Sequence, residues 1–326
     1  MVIRFVQFIG MAVVLCSTAS RSFAQQSPQF SQYFFNQYTY NPAYGGLDKA
    51  LSLTVHGRAQ WVGIEGYPFS QNVSVHSPMS ILHGGGGLQV INEQAGALRL
   101  TSASLSYSYI IKTRAGFFSI GVSGGVIQAA IDGGKLLAPD GDYVNTINHN
   151  DPILSSGSVS GLGPDAAAGI FFSGSAFTLG LSATHLFPVQ IAVEGTSSNI
   201  GFDLQREYYL QSSFRAPLSR AVVMRPVIML KANGSNFQGE GDLLFGYKNF
   251  IWAGIGYRGF DAYTQDAAVG IAALSINENL LLSYSYDFPV SALEKVSQGS
   301  HEVMINYRVN LFKPALPGKA IFNPRF

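Results

Sequence analysis

Apolar and polar residues alternate along most of this chain. Between Asn279 and Phe312, Leu280, Leu282, Tyr284 and Tyr286 alternate with Leu281, Ser283 and Ser285. Further on, Val303, Ile305, Tyr307, Val309 and Leu311 share one side. Glu302, Asn306, Arg308 and Asn310 share the other, where Met304 is the one apolar exception. Side chains on a strand point to opposite faces with a period of two, so each run reads as a strand with one oily and one wet face. A polar loop joins them. The pattern recurs at 51–62, where Leu51, Leu53 and Val55 oppose Ser52, Thr54, His56 and Arg58. It recurs again at 69–77, 86–93, 99–111, 117–129, 167–173, 177–187, 207–214, 222–231, 242–248, 250–258 and 267–276. The pattern predicts about fourteen strands.

The connections add a second signal. Those at 112–116, 174–176, 216–221, around Asn249 and at 277–279 are tight. Those at 130–165, 188–205, 232–241, 259–266 and 287–299 are longer. Alternating short turns and long loops, with aromatic residues such as Trp61, Tyr109, Tyr257, Tyr286 and Phe312 near strand ends, is the pattern of an outer-membrane barrel. Hydrocarbon offers backbone groups no partner, so strands cross it only in a closed sheet. The expected fold is all-β: a transmembrane antiparallel β-barrel of the outer membrane over 51–312, with a periplasmic tail at 313–326.

Composition agrees. The chain is 47% hydrophobic but only 12% charged, against roughly a quarter charged in a soluble domain. It has no apolar run long enough for a membrane helix. The net charge of +1 gives no reason to expect a nucleic-acid partner. Residues 1–24 read as an export signal, with Arg4, an apolar 5–15 and Ser22-Phe23-Ala24 before the cut. The single cysteine, Cys16, lies inside it, and Leu15 spoils a lipoprotein box. The mature chain therefore has no disulfide or thiolate site. Residues 25–50 are rich in aromatics and amides, lack clean alternation and end near the turn Asn41-Pro42-Ala43. They read as a segment packed against or inside the barrel.

Candidate chemistry is sparse. Gly121-Val122-Ser123-Gly124-Gly125 fits G-x-S-x-G, but a hydrolase needs it at a strand-to-helix elbow, and here it falls mid-strand. His56, His76, His83, His149, His185 and His301 lack metal-ligand spacing. Asp140, Asp142 and Asp151 offer oxygen ligands for calcium without a full loop motif. No cofactor and no enzymatic activity are expected. Arg58, Arg206, Arg225, Arg258 and Arg308 fall on strands, mostly on the polar face. They either tune a pore or pair with carboxylates in a filled interior, and the N-terminal segment favours the second.

Several motifs resemble the PorP/SprF family of Bacteroidetes outer-membrane proteins. These are Gln29-Phe30-Ser31-Gln32-Tyr33, Asn41-Pro42-Ala43 with Gly45-Gly46, Arg58-Ala59-Gln60-Trp61 and Tyr257-Arg258. Tyr284-Ser285-Tyr286-Asp287, Gly299-Ser300-His301-Glu302 and the terminal Asn323-Pro324-Arg325-Phe326 complete the set. The resemblance implies a non-enzymatic component of the type IX secretion and gliding machinery. It would contact outer-membrane lipid and bind the C-terminal domain of a secreted adhesin or other cargo, or link periplasmic ring or peptidoglycan-linked proteins to the membrane. A channel for small solutes or apolar compounds is the alternative. Carried over, Gln29, Phe30, Gln32, Tyr33, Asn41 and Pro42 would dock the N-terminal segment, on the periplasmic side or in the lumen. Asp287, His301 and Glu302 would form a polar network shaping an external loop at 287–302, or would merely fix a turn there; Arg58 and Trp61 of the first strand and Tyr286 and Ser300 complete the motif residues carried over.

Overall fold

Every backbone group of a membrane sheet must find its partner in the sheet, and here the ladder closes on itself. A computed structural model describes residues 28–143, 147–151, 154–187, 189–193, 200–234, 236–259 and 266–311, with backbone alone at 189–193 and 200–203. The strands are β1 (Leu51–Ala59), β2 (Phe69–Met79), β3 (Gly84–Ala95), β4 (Leu98–Lys112), β5 (Gly116–Asp132) and β6 (Ser158–Gly174). They continue as β7 (Phe177–Thr184), β8 (Val189–Val193), β9 (Ile200–Leu204), β10 (Glu207–Phe214), β11 (Ala216–Pro217) and β12 (Val222–Asn233). The last are β13 (Asn236–Tyr247), β14 (Ile251–Arg258), β15 (Ala267–Ser275), β16 (Leu280–Pro289) and β17 (Ser300–Val309). Fourteen of them form an antiparallel barrel: β1 to β7, β10 and β12 to β17, closed where β17 pairs with β1 and β10 with β12. Strands β8 and β9 make a separate hairpin, and β11 adds two residues beside β12.

The barrel is inside-out relative to a soluble protein. Val55 is 46% exposed while its neighbour His56 is 2% exposed. On β1, β2 and β17 the polar set Ser52, Thr54, His56, Ser70, Asn72, Ser74, Glu302 and Asn306 is buried, and Leu53, Val73, Val303 and Ile305 face out. Apolar outside and polar inside is the alternation of a lipid-embedded barrel.

Boundaries depart from the sequence reading in instructive places. Strand β1 ends at Ala59, and Trp61 sits beyond it at φ 56°, its N–H donating to Ser300 Oγ at 3.1 Å. The segment read as a loop at 130–165 is shorter than expected, because β5 runs on to Asp132 and β6 begins at Ser158, paired along its length with β5. The expected loop at 232–241 is a tight turn, with Asn233 paired to Asn236. The β3–β4 connection is equally short, so the long-loop end also carries two tight turns. Strand β16 runs to Pro289, which removes Asp287 from the expected loop. Residues 1–24, Phe312 and 313–326 lie outside the described residues.

Candidate functional site

Residues 28–50 pass through the barrel. Nearly all are buried, including Phe30, Ser31, Gln32, Tyr33, Phe34 and Asn41. Ser31 meets the ends of β1, β16 and β17 nearest the long loops, whereas Asp48 meets Arg308 near the opposite end of β17. The segment therefore descends the lumen from the long-loop end to the short-turn end before β1 begins. Two short helical turns, Gln37–Thr39 and Pro42–Tyr44, punctuate it; Asn41 caps the second by accepting from Ala43 N–H at 2.9 Å.

A buried charge cluster clamps its upper part. Glu302 accepts the backbone N–H groups of Ser31 and Gln32, each at 2.8 Å, through its two oxygens. His56 Nε2 lies 2.7 Å from the same carboxylate. Arg58 donates to Glu302 at 2.9 Å, to Asp287 at 2.7 Å and to Ser31 Oγ at 2.9 Å. Ser31 Oγ in turn donates to Asp287 at 2.9 Å. Arg258 bridges Glu240, Asp266 and Asp287 at 2.8, 3.0 and 2.9 Å and also reaches Ser31 Oγ. Tyr33 donates to Asp242 at 2.7 Å. A small residue is required at position 31, since its hydroxyl sits between two guanidiniums and a carboxylate. Bidentate and charge-assisted bonds of this kind fix geometry as well as energy.

Below the charges the lumen turns apolar. Phe30, Tyr33, Phe34, Phe35 and Tyr40 pack with inward residues of β12 to β17, among them Met229, Leu244, Trp252, Ile271, Leu281 and Met304. This explains Met304, the exception on the polar face of β17: it faces the segment and not water. Amides then tie the segment to wall hydroxyls and carbonyls. Gln32 meets Ser285 and Ser283, Asn36 meets Ser74, and Asn41 donates to the carbonyls of Ile170 and Leu181 at 3.0 and 3.2 Å. Glycine makes the fit possible: a Cβ at Gly169 would collide with Asn41, and one at Gly121 with Ala43. Gly46, at φ 75°, abuts Gly85. At the bottom, Arg308 donates to the Asp48 carbonyl at 3.2 Å, and Gly46 N–H to His76 Nδ1, also at 3.2 Å.

The residues singled out by sequence thus separate. Arg58, Asp287 and Glu302 converge on Ser31, and Glu302 also takes Gln32, while Tyr33 meets Asp242; Asn41 and Pro42 lie lower in the segment, and Gln29 touches Gln238 at 3.0 Å. His301 and Tyr286 do not join Asp287 and Glu302, because neighbouring strand residues face opposite sides. His301 faces out, 2.8 Å from the Tyr284 hydroxyl and packed edge-on against Tyr286. Ser300 binds the Trp61 amide. Arg206 precedes β10, exposed, and donates to the Leu186 carbonyl. Sequence reasoning did not bring in Glu240, Asp242 and Asp266, whose signal was polar inward parity on β13 and proximity to Arg258. Gly121 and Ser123 lie within β5, paired to Ser108 and Ser106 on β4, with no elbow. Among the described residues no group of three or more His, Cys, Asp or Glu side chains is arranged to hold a metal. A cavity of about 120 Å³ remains between the segment and the wall of β3 to β7 and β10, lined by Tyr40, Glu93, Ser104, Ser106, Ser123 and Tyr209 among others.

A closed barrel with an oily exterior and its own chain through the lumen is an outer-membrane β-barrel protein of the plugged kind. The chain belongs to the type IX secretion system membrane protein PorP/SprF family, whose model matches residues 22–307. It is accordingly a membrane component of that secretion system, located in the outer membrane. Among solved structures it is similar to the CymD monoaromatic hydrocarbon channel, at 12% identity over 86% of this chain and 92% of that one, TM-score 0.49. It is also similar to the Pseudomonas putida toluene transporter TodX, at 12% identity over 87% and 95%, TM-score 0.49. A Pseudomonas aeruginosa FadL homologue matches at 11% identity over 87% and 95%, TM-score 0.46. No curated protein matches the chain.

Proposed function

We propose that this protein is a non-conducting, non-enzymatic platform of the type IX secretion and gliding machinery, which holds a secreted cargo C-terminal domain at its long-loop end. One observation carries the reading: the lumen is occupied from end to end by residues 28–50, clamped by Arg58, Arg258, Asp287 and Glu302. A lumen filled in this way supports a binding role over a solute channel. The long-loop end is also braced. Val62 exchanges backbone hydrogen bonds with Gly299 and Gln298 at 2.8 and 2.6 Å, tying the β1–β2 loop to the β16–β17 loop. A braced surface loses little conformational entropy when a partner binds.

The test has two arms. Purified protein in planar bilayers is expected to give no steady conductance, and a secreted C-terminal domain is expected to co-purify with it from cells. Steady ion steps would favour the channel reading. Recovery of periplasmic ring or peptidoglycan-linked proteins in place of cargo would move the binding surface to the other end. Loss of surface adhesin on deletion of the gene is the expected phenotype.

A further inference from the structure

The two ends of the barrel carry different charge. Among the described residues the exposed or half-exposed ionised groups at the short-turn end are Lys49, Lys112, Arg114, Arg215, Arg220 and Lys248, against one exposed carboxylate, Glu278. At the long-loop end exposed acids outnumber bases among the described residues: Glu65, Asp132, Asp140, Asp142, Asp151 and Glu294 against Arg99, Lys135, Arg206 and Lys295. Among the described residues none of the six short-turn cations is held in an ion pair. Burial and the neighbouring charge of Lys112 both pull the Lys49 ammonium below its ordinary pKa, so Lys49 and Lys112 lie close enough to repel. The sequence after Leu311 adds Lys313, Lys319 and Arg325 and no acid.

The cations are spread around the rim and interleaved with exposed apolar residues. Ile111 precedes Lys112, Phe214 and Leu218 flank Arg215, and Tyr247 and Phe250 flank Lys248. Leu82 and Leu218 sit in the turns themselves, exposed at 52% and 57%. Apolar side chains in the turns place those turns within the lipid–water boundary, where Tyr, Trp and basic residues anchor. A basic group at that height faces phosphates, with its stem against acyl chains. Short turns mark the periplasmic end of an outer-membrane barrel, and hence the phospholipid leaflet.

We infer that the short-turn rim, through Lys112, Arg114, Arg220 and Lys248, is a binding surface for the anionic headgroups of inner-leaflet phospholipids. An acidic periplasmic protein would be met by one basic patch below the membrane. A ring set among lipid-facing aromatics fits a headgroup annulus better. The surface is independent of cargo binding at the opposite end, so failure of either reading leaves the other standing.

The experiment uses full-length folded protein equilibrated in mixed micelles of equal phosphatidylglycerol and phosphatidylethanolamine. Native mass spectrometry counts retained lipid, and heat-dependent migration on gels verifies the folded barrel. The wild type is expected to enrich phosphatidylglycerol, with enrichment falling as salt rises. A cation near an anionic surface is worth about fivefold in binding, so Lys248→Ser should lower enrichment by about that factor. The combined Lys112→Ser, Arg114→Ser, Arg220→Ser, Lys248→Ser variant should abolish it. The loop-end variant Arg99→Ser, Lys135→Ser, Lys295→Ser should leave it intact. Retention of the two lipids in the supplied ratio, an unchanged fourfold variant, or equal loss in the loop-end variant would overturn the inference. So would an acidic periplasmic protein crosslinking to the rim while lipid enrichment is absent.

Discussion

Replacing Arg58 with methionine removes the charge and the fork of donors while keeping a similar stem. Arg58 is 1% exposed and makes three charge-assisted hydrogen bonds of 2.7 to 2.9 Å, to Asp287, Glu302 and Ser31. Removing one member of a buried ion pair costs roughly 3–5 kcal/mol. Here the remaining carboxylates keep partners. Asp287 keeps Arg258, and Glu302 keeps His56 and the amides of Ser31 and Gln32. The expected cost is therefore at the lower bound, about 3 kcal/mol. Because the cluster joins the luminal segment to the wall, the loss should appear as loosening of the segment before opening of the barrel. At a tenfold change per 1.4 kcal/mol, about 3 kcal/mol raises the open population roughly a hundredfold. Hydrogen exchange of the Ser31 and Gln32 amides should accelerate by about that factor, with β5 unaffected. Arg58→Lys keeps the charge but loses the fork, and should fall between the two. Unchanged exchange at residues 31–36, or uniform acceleration around the whole barrel, would refute the clamp.

The remaining predictions concern the plug and the exterior. Gly121→Val should displace Ala43 and expose residues 41–47 to protease without unfolding β5, whereas resistance equal to wild type would contradict the close contact. Phe34→Ala, in the apolar layer with Met304 and Leu281, should cost about 3–5 kcal/mol, read as a shift in urea midpoint. Leu105→Arg places a charge on an outward side chain of β4 that is 67% exposed. It should cost about 2–4 kcal/mol if it lies near the bilayer midplane; a loss under about 1 kcal/mol would mean the β4 face does not meet hydrocarbon there. Deleting residues 28–47 should convert a silent barrel into a conducting one in planar bilayers, and continued silence would show that other elements close the lumen.

Much of the wall was legible because lipid and lumen impose opposite demands on successive residues. On β1, β2 and β17 strict parity gave both the strand and its facing: Glu302 shares parity with Asn306 and the interior, His301 with Val303 and lipid. That same parity separates Asp287 from Tyr286 on β16, so the idea of one external network of Asp287, His301 and Glu302 conflicted with the pattern that defined the strands. Where alternation weakened, on β15 with Val269, Ile271 and Ala273 facing inward, the cause lay elsewhere in the chain. An apolar lumen wall makes sense only once Phe30, Tyr33 and Phe34 are known to press against it. The loop lengths misled for a related reason. Strands β4, β5 and β6 run 15, 17 and 17 residues, well beyond the roughly ten that a tilted strand needs to cross. The excess therefore extends past hydrocarbon, where no strict alternation is enforced and the sequence reads as loop. The clamp itself was the least visible feature. Arg58 and Asp287 are 229 residues apart, and Ser31 and Glu302 271 apart. Each appears locally as an ordinary polar residue on the wet face of a strand. Buried charges in such a place are weak evidence for stability, since apolar packing can do as well. Their value here is registry: an apolar segment alone could slide along an apolar wall, whereas two amides on one carboxylate and a serine between two arginines fit in one position only.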